Sequence, residues 1–308
     1  MIRVARNAGF CMGVKRALDL VRRLAAEGRG PIYTDGPLIH NPGIVETLAR
    51  ERIRALKDGE SPGSGLIVIR AHGVSPRRRE ELKRIGLPLF DATCPDVAKV
   101  QAIVRRYARD GYEIAIVGDR GHAEVEGLLG FSEGGGRVVG SQRDVDTLPP
   151  GARVCVVAQT TQDAQLFREL AERIRLCAAE CVVCDTICRS TKERQAEALD
   201  IARQADAVIV VGGKNSANTA RLATIVGAAG VKVIHAESEK DLCARDFAEA
   251  QRIGIVAGAS TPPWSIERVE KWLRLHRFAS APPAAPGCSG PSCASEKPDN
   301  PHPGKNLC

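Results

Sequence analysis

The sequence predicts an α/β fold of three similar α/β units with mainly parallel sheets, arranged pseudo-threefold around a centre. Strand-length apolar runs alternate with helical patterns, and several runs are too uniformly apolar for a half-exposed antiparallel strand. Three cysteines at near-equal intervals each stand just before a helix. The apolar runs lie at 2–5, 66–69, 113–117, 154–158, 207–211, 231–234 and 253–257. Helical patterns fill 13–27, 44–50, 76–85, 95–110, 163–175, 189–203, 216–227 and 263–278. The units are expected at 1–93 with Cys11, 94–187 with Cys94 and 188–278 with Cys188.

In such sheets ligands bind outside the carboxyl ends of the strands. The run 66–69 leads into Arg70-Ala71-His72-Gly73, and 113–117 into Gly118-Asp119-Arg120-Gly121-His122. The run 154–158 leads into Gln159-Thr160-Thr161, 207–211 into Gly212-Gly213-Lys214-Asn215-Ser216, and 253–257 into Gly258-Ala259-Ser260-Thr261. These five polar, often glycine-rich ends are expected to line one cleft.

With 308 residues, 44% hydrophobic and 26% charged, the chain can form two or three domains around real cores. No apolar run approaches the ~20 residues of a membrane span. The N-terminus lacks the apolar core of a signal peptide, so the expected compartment is the cytoplasm. The net charge of +7 is spread over helix faces such as Arg77-Arg78-Arg79 and suits an anionic substrate or an acidic electron-transfer partner. Nucleic acid is not expected, since aromatics are 4% and no recognition motif occurs. From about residue 279, Pro, Gly, Ser and Ala dominate without periodicity. This predicts a disordered tail over 279–308, with Cys288, Cys293 and Cys308 outside any preformed site.

Eleven cysteines in a chain without an export signal favour metal or redox chemistry over disulfides. Cys11 precedes the helix opening at Gly13, Cys94 precedes Pro95, and Cys188 precedes the Arg189 helix. The positive end of a helix dipole is expected to lower a cysteine pKa and favour the thiolate that binds iron. The intervals are 83 and 94 residues, which suggests three similar α/β units whose thiolates would meet if arranged around a centre. Simple iron–sulfur carriers take four cysteines. Three leave one iron open to a substrate oxygen. A cysteine beside a helix start is also commonly a small buried hydrophobe. Cys181, Cys184 and Cys188 offer a second, local metal pattern, C-x2-C-x3-C. Against it, 181–184 reads as strand, which turns side chains three apart to opposite faces. Cys155, Cys177 and Cys243 read as ordinary apolar positions.

The segment Gly9-Phe10-Cys11-Met12-Gly13-Val14-Lys15-Arg16-Ala17 resembles the opening of the 4-hydroxy-3-methylbut-2-enyl diphosphate reductase family, the last step of the methylerythritol phosphate route to isoprenoids. The likeness continues through His40-Asn41, Ala71-His72-Gly73-Val74, Phe90-Asp91-Ala92-Thr93-Cys94-Pro95 and Gly121-His122-Ala123-Glu124-Val125-Glu126-Gly127. It ends with Gln159-Thr160-Thr161, Lys214-Asn215-Ser216 and Gly258-Ala259-Ser260-Thr261-Pro262, and covers residues 1 to about 278. The resemblance implies three α/β units around a [4Fe–4S] cluster held by Cys11, Cys94 and Cys188. It implies reduction of (E)-4-hydroxy-3-methylbut-2-enyl diphosphate to isopentenyl and dimethylallyl diphosphate, with electrons from ferredoxin or flavodoxin.

The resemblance also implies roles. His40, His72 and His122 bind or flank the diphosphate and the substrate hydroxyl; Ser216, Asn218 and Ser260 donate to phosphate oxygens. Thr160 orients the substrate hydroxyl, and Glu124 delivers protons. His235 and His276 fall outside the family motifs, and Glu126 is expected to make a structural contact or face solvent. Ala217 stands where the family usually has a second serine, which predicts weaker substrate binding. The tail cysteines, Cys181 and Cys184 are also departures. Two other functions remain open at this stage: a hydro-lyase that uses the cluster without net electron transfer, and a non-enzymatic iron–sulfur sensor or carrier. Dependence of product on a reductant separates the first, and a substrate pocket speaks against the second.

Overall fold

A computed structural model describes residues 1–57 and 59–276. The expected disordered tail with Cys288, Cys293 and Cys308, and the last two residues of the helix expected at 263–278, lie outside the described residues.

Three four-stranded sheets make up the fold, and every strand pairing in them is parallel. The first contains β2 (Ile32–Thr34), β3 (Ile53–Ala55), β4 (Leu66–Ile69) and β5 (Leu89–Asp91), in the order β3-β2-β4-β5. The second contains β6 (Glu113–Val117), β7 (Gly136–Val139), β8 (Arg153–Ala158) and β9 (Glu180–Val183), in the order β7-β6-β8-β9. The third contains β10 (Ala207–Val211), β11 (Lys232–Ala236) and β12 (Ile253–Ala257), and its fourth strand is β1 (Ile2–Val4). Its order, β11-β10-β12-β1, repeats the pattern of the other two.

The N-terminal strand is therefore a correction to the expected unit 1–93. Ile2, Arg3 and Val4 pair with Ile253, Gly254 and Ile255, not with the sheet that follows them in sequence. Arg3 secures this edge with hydrogen bonds to Asp200 at 2.7 Å and Gln204 at 3.0 Å.

Ten α-helices accompany the sheets: α1 (Met12–Ala26), α2 (Pro42–Arg50), α3 (Pro76–Arg84), α4 (Pro95–Arg109), α5 (Ala123–Leu129), α6 (Gln142–Val145), α7 (Ala164–Cys177), α8 (Arg189–Gln204), α9 (Ala217–Ala228) and α10 (Pro263–His276), among the described residues. Their starts follow capping chemistry. The Asn41, Ser75 and Asp163 side chains accept from Ile44, Arg78 and Leu166 N–H at 3.1, 3.2 and 2.7 Å. Prolines open α2, α3 and α4.

The central strands β4, β10 and β12 are buried along their whole length, as runs with no polar residue require. Each sheet carries its own core: Val21, Ile44 and Val68 in the first, Val117, Val156 and Leu170 in the second, Ile209, Ile255 and Val269 in the third. Fully burying one such side chain contributes about 1.5–3 kcal/mol. These cores make each sheet a rigid mount for the loops at its carboxyl edge.

Candidate active site around three helix-capping cysteines

The three cysteines occupy equivalent places in the repeat. Each follows the fourth strand of a sheet and caps a helix: Cys11 after β1 and before α1, Cys94 after β5 and before α4, Cys188 after β9 and before α8. Each also donates its backbone N–H to the loop that follows the third strand of the same sheet. Cys11 bonds the Ala259 carbonyl at 3.1 Å, Cys94 that of Ala71 at 2.9 Å, and Cys188 that of Thr160 at 3.0 Å.

Their side chains line one cavity of about 380 Å³. A Cβ built on Gly13 would lie 2.8 Å from Cys94 Sγ and 3.8 Å from Cys11 Sγ, so glycine leaves the space between two of the sulfurs open. Cys188 Sγ lies 3.0 Å from Thr191 Oγ1, and Cys11 Sγ accepts from Val14 N–H at 3.5 Å. All eight described cysteines are free. Three unbridged thiols at helix starts around one space form a donor set suited to a thiophilic metal centre.

The expected lowering of thiol pKa is not what the fold produces for two of them. Burial pushes the Cys94 and Cys188 thiols up, and hydrogen bonds at the helix starts oppose that shift without reversing it. Stripping water from a thiolate costs more here than the helix start returns. A bound cation is what stabilises a coordinating thiolate in such a place.

The same cavity is lined by His40, His72, His122, Glu124, Thr160, Ser216, Asn218 and Ser260. His40, His122 and Ser216 come from loops after the first strand of each sheet, and His72, Thr160 and Ser260 from loops after the third. Two strand ends from each of three sheets thus build the site. Five of the six follow apolar runs long enough to mark a strand; the sixth, β2, which leads to His40, is only three residues long.

Glu124 sits in the first turn of α5 and is 2% exposed. Its two oxygens accept from Thr160, one from the backbone N–H at 2.6 Å and one from the hydroxyl at 2.8 Å. Burial pushes this carboxyl up to about 7, against the downward pull of the Thr160 bonds. A carboxyl in this setting can take up or release a proton near neutral pH.

The three imidazoles form a tight cluster, with ring centroids 4.8 Å apart for His40–His72, 5.4 Å for His72–His122 and 5.7 Å for His40–His122. Burial lowers the pKa of all three, helped by Arg70, and the rings also repel one another's charge. His122 is brought down to about 4. Its Nδ1 caps α5 by accepting the Glu124 N–H at 3.2 Å, which places the proton of the neutral ring on Nε2. His40 Nε2, His72 Nδ1 and Asn218 Nδ2 are buried without a partner. Such atoms are costly unless a ligand engages them. Ser216 caps α9 without using its hydroxyl on the helix, so that hydroxyl and the amides of the first turn face the cavity together. Ser260 donates to the His40 carbonyl at 3.3 Å. Ala217 lines the cavity with no donor.

His40, His122 and Ala217 also border a wider cleft of about 1430 Å³ that carries Arg70, Arg120, Arg168, Lys192, Lys214 and Arg221. Arg221 bonds Asp119 at 2.8 Å and the Thr161 carbonyl at 2.9 Å. Arg70, Arg194 and Arg221 were not singled out from the sequence. Arg194 did leave a signal: it falls on the buried stripe of α8 with Thr191, Ala198 and Ile201.

The local C-x2-C-x3-C pattern does not assemble. Cys181 packs with the core on one face of the second sheet, Cys184 with the core on the other beside Cys155, and only Cys188 reaches the cavity. Of the three cysteines expected at ordinary apolar positions, Cys155 is buried and Cys177 and Cys243 are exposed. His235 bonds the Gly212 carbonyl and His276 stacks on Trp272, both structural contacts. Glu126 is exposed, on the wall of the wider cleft.

The sequence matches the family described as LytB protein over residues 2–274. A 4-hydroxy-3-methylbut-2-enyl diphosphate reductase of Opitutus terrae is 43% identical over 277 residues, covering 86% of this chain and 96% of its own. The enzyme of the same description from Aquifex aeolicus is 40% identical over 274 residues, covering 88% and 95%. A solved structure of (E)-4-hydroxy-3-methyl-but-2-enyl diphosphate reductase, the terminal enzyme of the non-mevalonate pathway, is 39% identical with a TM-score of 0.66, covering 89% of this chain and 99% of that one. The structure of the E-1-hydroxy-2-methyl-but-2-enyl-4-diphosphate reductase from Plasmodium falciparum is 27% identical with a TM-score of 0.83, covering 89% and 87%.

The raised carboxyl gives a stability prediction. Glu124 is favoured in its protonated form by the fold, so its contribution is full below the unfolded carboxylate pKa and is lost as pH rises through about 7. Linkage of this size is about 3 kcal/mol. Urea unfolding of wild type and Glu124→Gln at pH 5 and pH 8 should show the variant losing less stability over that rise; equal losses would remove the group from this role.

Proposed function

The chain belongs to the LytB family, and we propose that it reduces (E)-4-hydroxy-3-methylbut-2-enyl diphosphate to isopentenyl and dimethylallyl diphosphate, the last step of the methylerythritol phosphate pathway. The observation that carries the reading is the convergence, in one cavity, of three free thiols, a buried carboxyl poised near neutrality and unpartnered donors.

Cys11, Cys94 and Cys188 are assigned as ligands of a [4Fe–4S] cluster, and the donor set fits it. When bound, the cluster supplies electrons and an open iron for the substrate oxygen. Every other task falls to side chains. The first turn of α9, with Ser216 and Asn218, holds the diphosphate from one side. His40, His72 and His122, neutral at physiological pH, offer N–H groups, and Ser260 adds a hydroxyl. Neutral donors bind an anion without the desolvation cost of buried charges. Arg70, Arg168 and Lys214 in the adjoining wider cleft, whose other cations are paired with acids, offer positive charge to an incoming anion.

Thr160 orients the substrate hydroxyl and couples it to Glu124 through the bond it already makes. Glu124 gives its proton to the departing hydroxyl, which leaves as water. A second proton reaches one end of the allyl fragment, and two electrons complete the balance. Protonation at either end gives the two products. Acidic donors, ferredoxin or flavodoxin, suit a chain of net charge +7. Among the described residues no helix is long and apolar enough to cross a membrane, and the cytoplasm is the compartment we assign.

The decisive experiment is anaerobic purification with iron and sulfide counting, then assay of the allylic diphosphate with and without a chemical reductant. Isopentenyl and dimethylallyl diphosphate formed only with reductant support the reductase, and a dehydrated product formed without reductant points to a hydro-lyase. Cys94→Ala should lose both the visible cluster absorbance and turnover; survival of both overturns the ligand assignment. Glu124→Gln should keep cluster and substrate affinity while kcat falls about 10²–10⁴-fold; unchanged kcat excludes proton delivery by this group. Ala217→Ser restores a hydroxyl worth about 1 kcal/mol. KM should fall about fivefold with kcat unchanged, and an unaltered KM would show that position 217 does not touch the diphosphate.

A further inference from the structure

Arg194 sits in α8, the helix capped by Cys188, and is 4% exposed. Its guanidinium donates to three backbone carbonyls. Nη1 bonds Asn7 and, at 2.8 Å, Ala257; Nη2 bonds Gly9 at 3.0 Å. Asn7 and Gly9 lie in the loop that delivers Cys11, and Ala257 ends the strand whose following loop accepts the Cys11 N–H. One buried side chain therefore ties the Cys188 helix to the Cys11 loop and to that loop's anchor.

Its charge has an unusual setting. The three acceptors are neutral carbonyls, and Nε is buried without a partner. A buried guanidinium without a counter-charge is expensive, and a fold keeps one where an anion offsets it. Glu197 lies in the same region, but its two oxygens accept the Arg6 and Asn7 N–H groups at 2.8 and 2.9 Å. Burial pulls the Arg194 guanidinium pKa down, and Cys11, Cys188 and Glu197, in that order, pull it back up. Cys188 caps the helix that carries Arg194, and Cys11 follows the 7–9 loop that its guanidinium holds, so as thiolates these two would supply the missing negative charge.

We propose that Arg194 is a positioning residue of the redox centre: it locks the Cys11 and Cys188 segments together and holds a fixed positive charge beside both thiolates, raising the reduction potential of the group they bind. The inference rests on the cluster reading given under Proposed function. An iron–sulfur site held by thiolates is anionic and becomes more so with each electron, and local net charge is one of the controls on its potential. A cation held close by, in a medium of low dielectric, favours the reduced state.

The test is an anaerobic spectroelectrochemical titration of the iron-loaded protein, with iron and sulfide counts and the rate of iron release to a chelator. Arg194→Gln is expected to lower the equilibrium constant for one-electron reduction about tenfold, a fall of about 59 mV in midpoint potential. Arg194→Lys keeps the charge but cannot span all three carbonyls, so its potential should stay near wild type while iron leaves several-fold faster. A Gln variant with full iron and a wild-type potential overturns the proposal, because a merely structural residue would leave the potential in place. Should the Gln variant not fold, the Lys variant decides: faster iron release supports the brace, and wild-type release overturns it. Wild-type protein that takes up no iron and sulfide would overturn the cluster reading and this inference together, which separates the two failures.

Discussion

Three backbone hydrogen bonds set the geometry on which the centre depends. In each sheet the cysteine after the fourth strand donates its N–H to the loop after the third, at Ala259, Ala71 and Thr160. The bond fixes where the helix begins, and so where the thiol points. Because neighbouring parallel strands hold these two loops side by side, sheet register becomes sulfur position. The accepting residues adjoin Ser260, His72 and Thr161, so the loops that place the three cysteines also place polar groups against the same cavity. A shift in one sheet moves a ligand and a donor together.

Burial then decides the chemistry of the side chains so placed. One low-dielectric cavity pushes Glu124 up towards neutrality and holds the histidines in their uncharged form. The same desolvation lifts the Cys94 and Cys188 thiols, so the helix starts do not generate thiolates unaided. Carboxyl, imidazoles and thiols are tuned by a single environment. The departure at Ala217 fits that picture, since the α9 amides, Asn218 and the imidazoles still surround the position.

Much of this was legible in the residues. The runs 66–69, 113–117, 207–211 and 253–257 announced buried parallel strands, because only strands covered on both faces stay apolar at every position. Cys94 before Pro95 marked a helix start by the same local chemistry that the fold uses. The strands β2, β3, β5 and β7, of three or four residues each, were missed because so short a stretch shows no period. The partner of β1 could not be read at all, since periodicity describes a strand and not its neighbour. Arg194 was hidden for a related reason: its partners are carbonyls more than sixty residues away, and a carbonyl has no letter in the sequence.

The placing of the first strand beside the last bears on how the protein is made. Ile2 meets Ile253, and the Cys11 amide waits for Ala259, so a ribosome must synthesise nearly the whole folded body before the earliest cysteine finds its seat. The first two sheets can form during translation, each from a contiguous stretch of chain. The third closes only when the two extremities join, at the entropic cost of a loop spanning nearly the whole fold. A polypeptide cut short before β12 would lack the strand that seats β1 and the carbonyl that receives the Cys11 amide, and its thiols would have nowhere to gather.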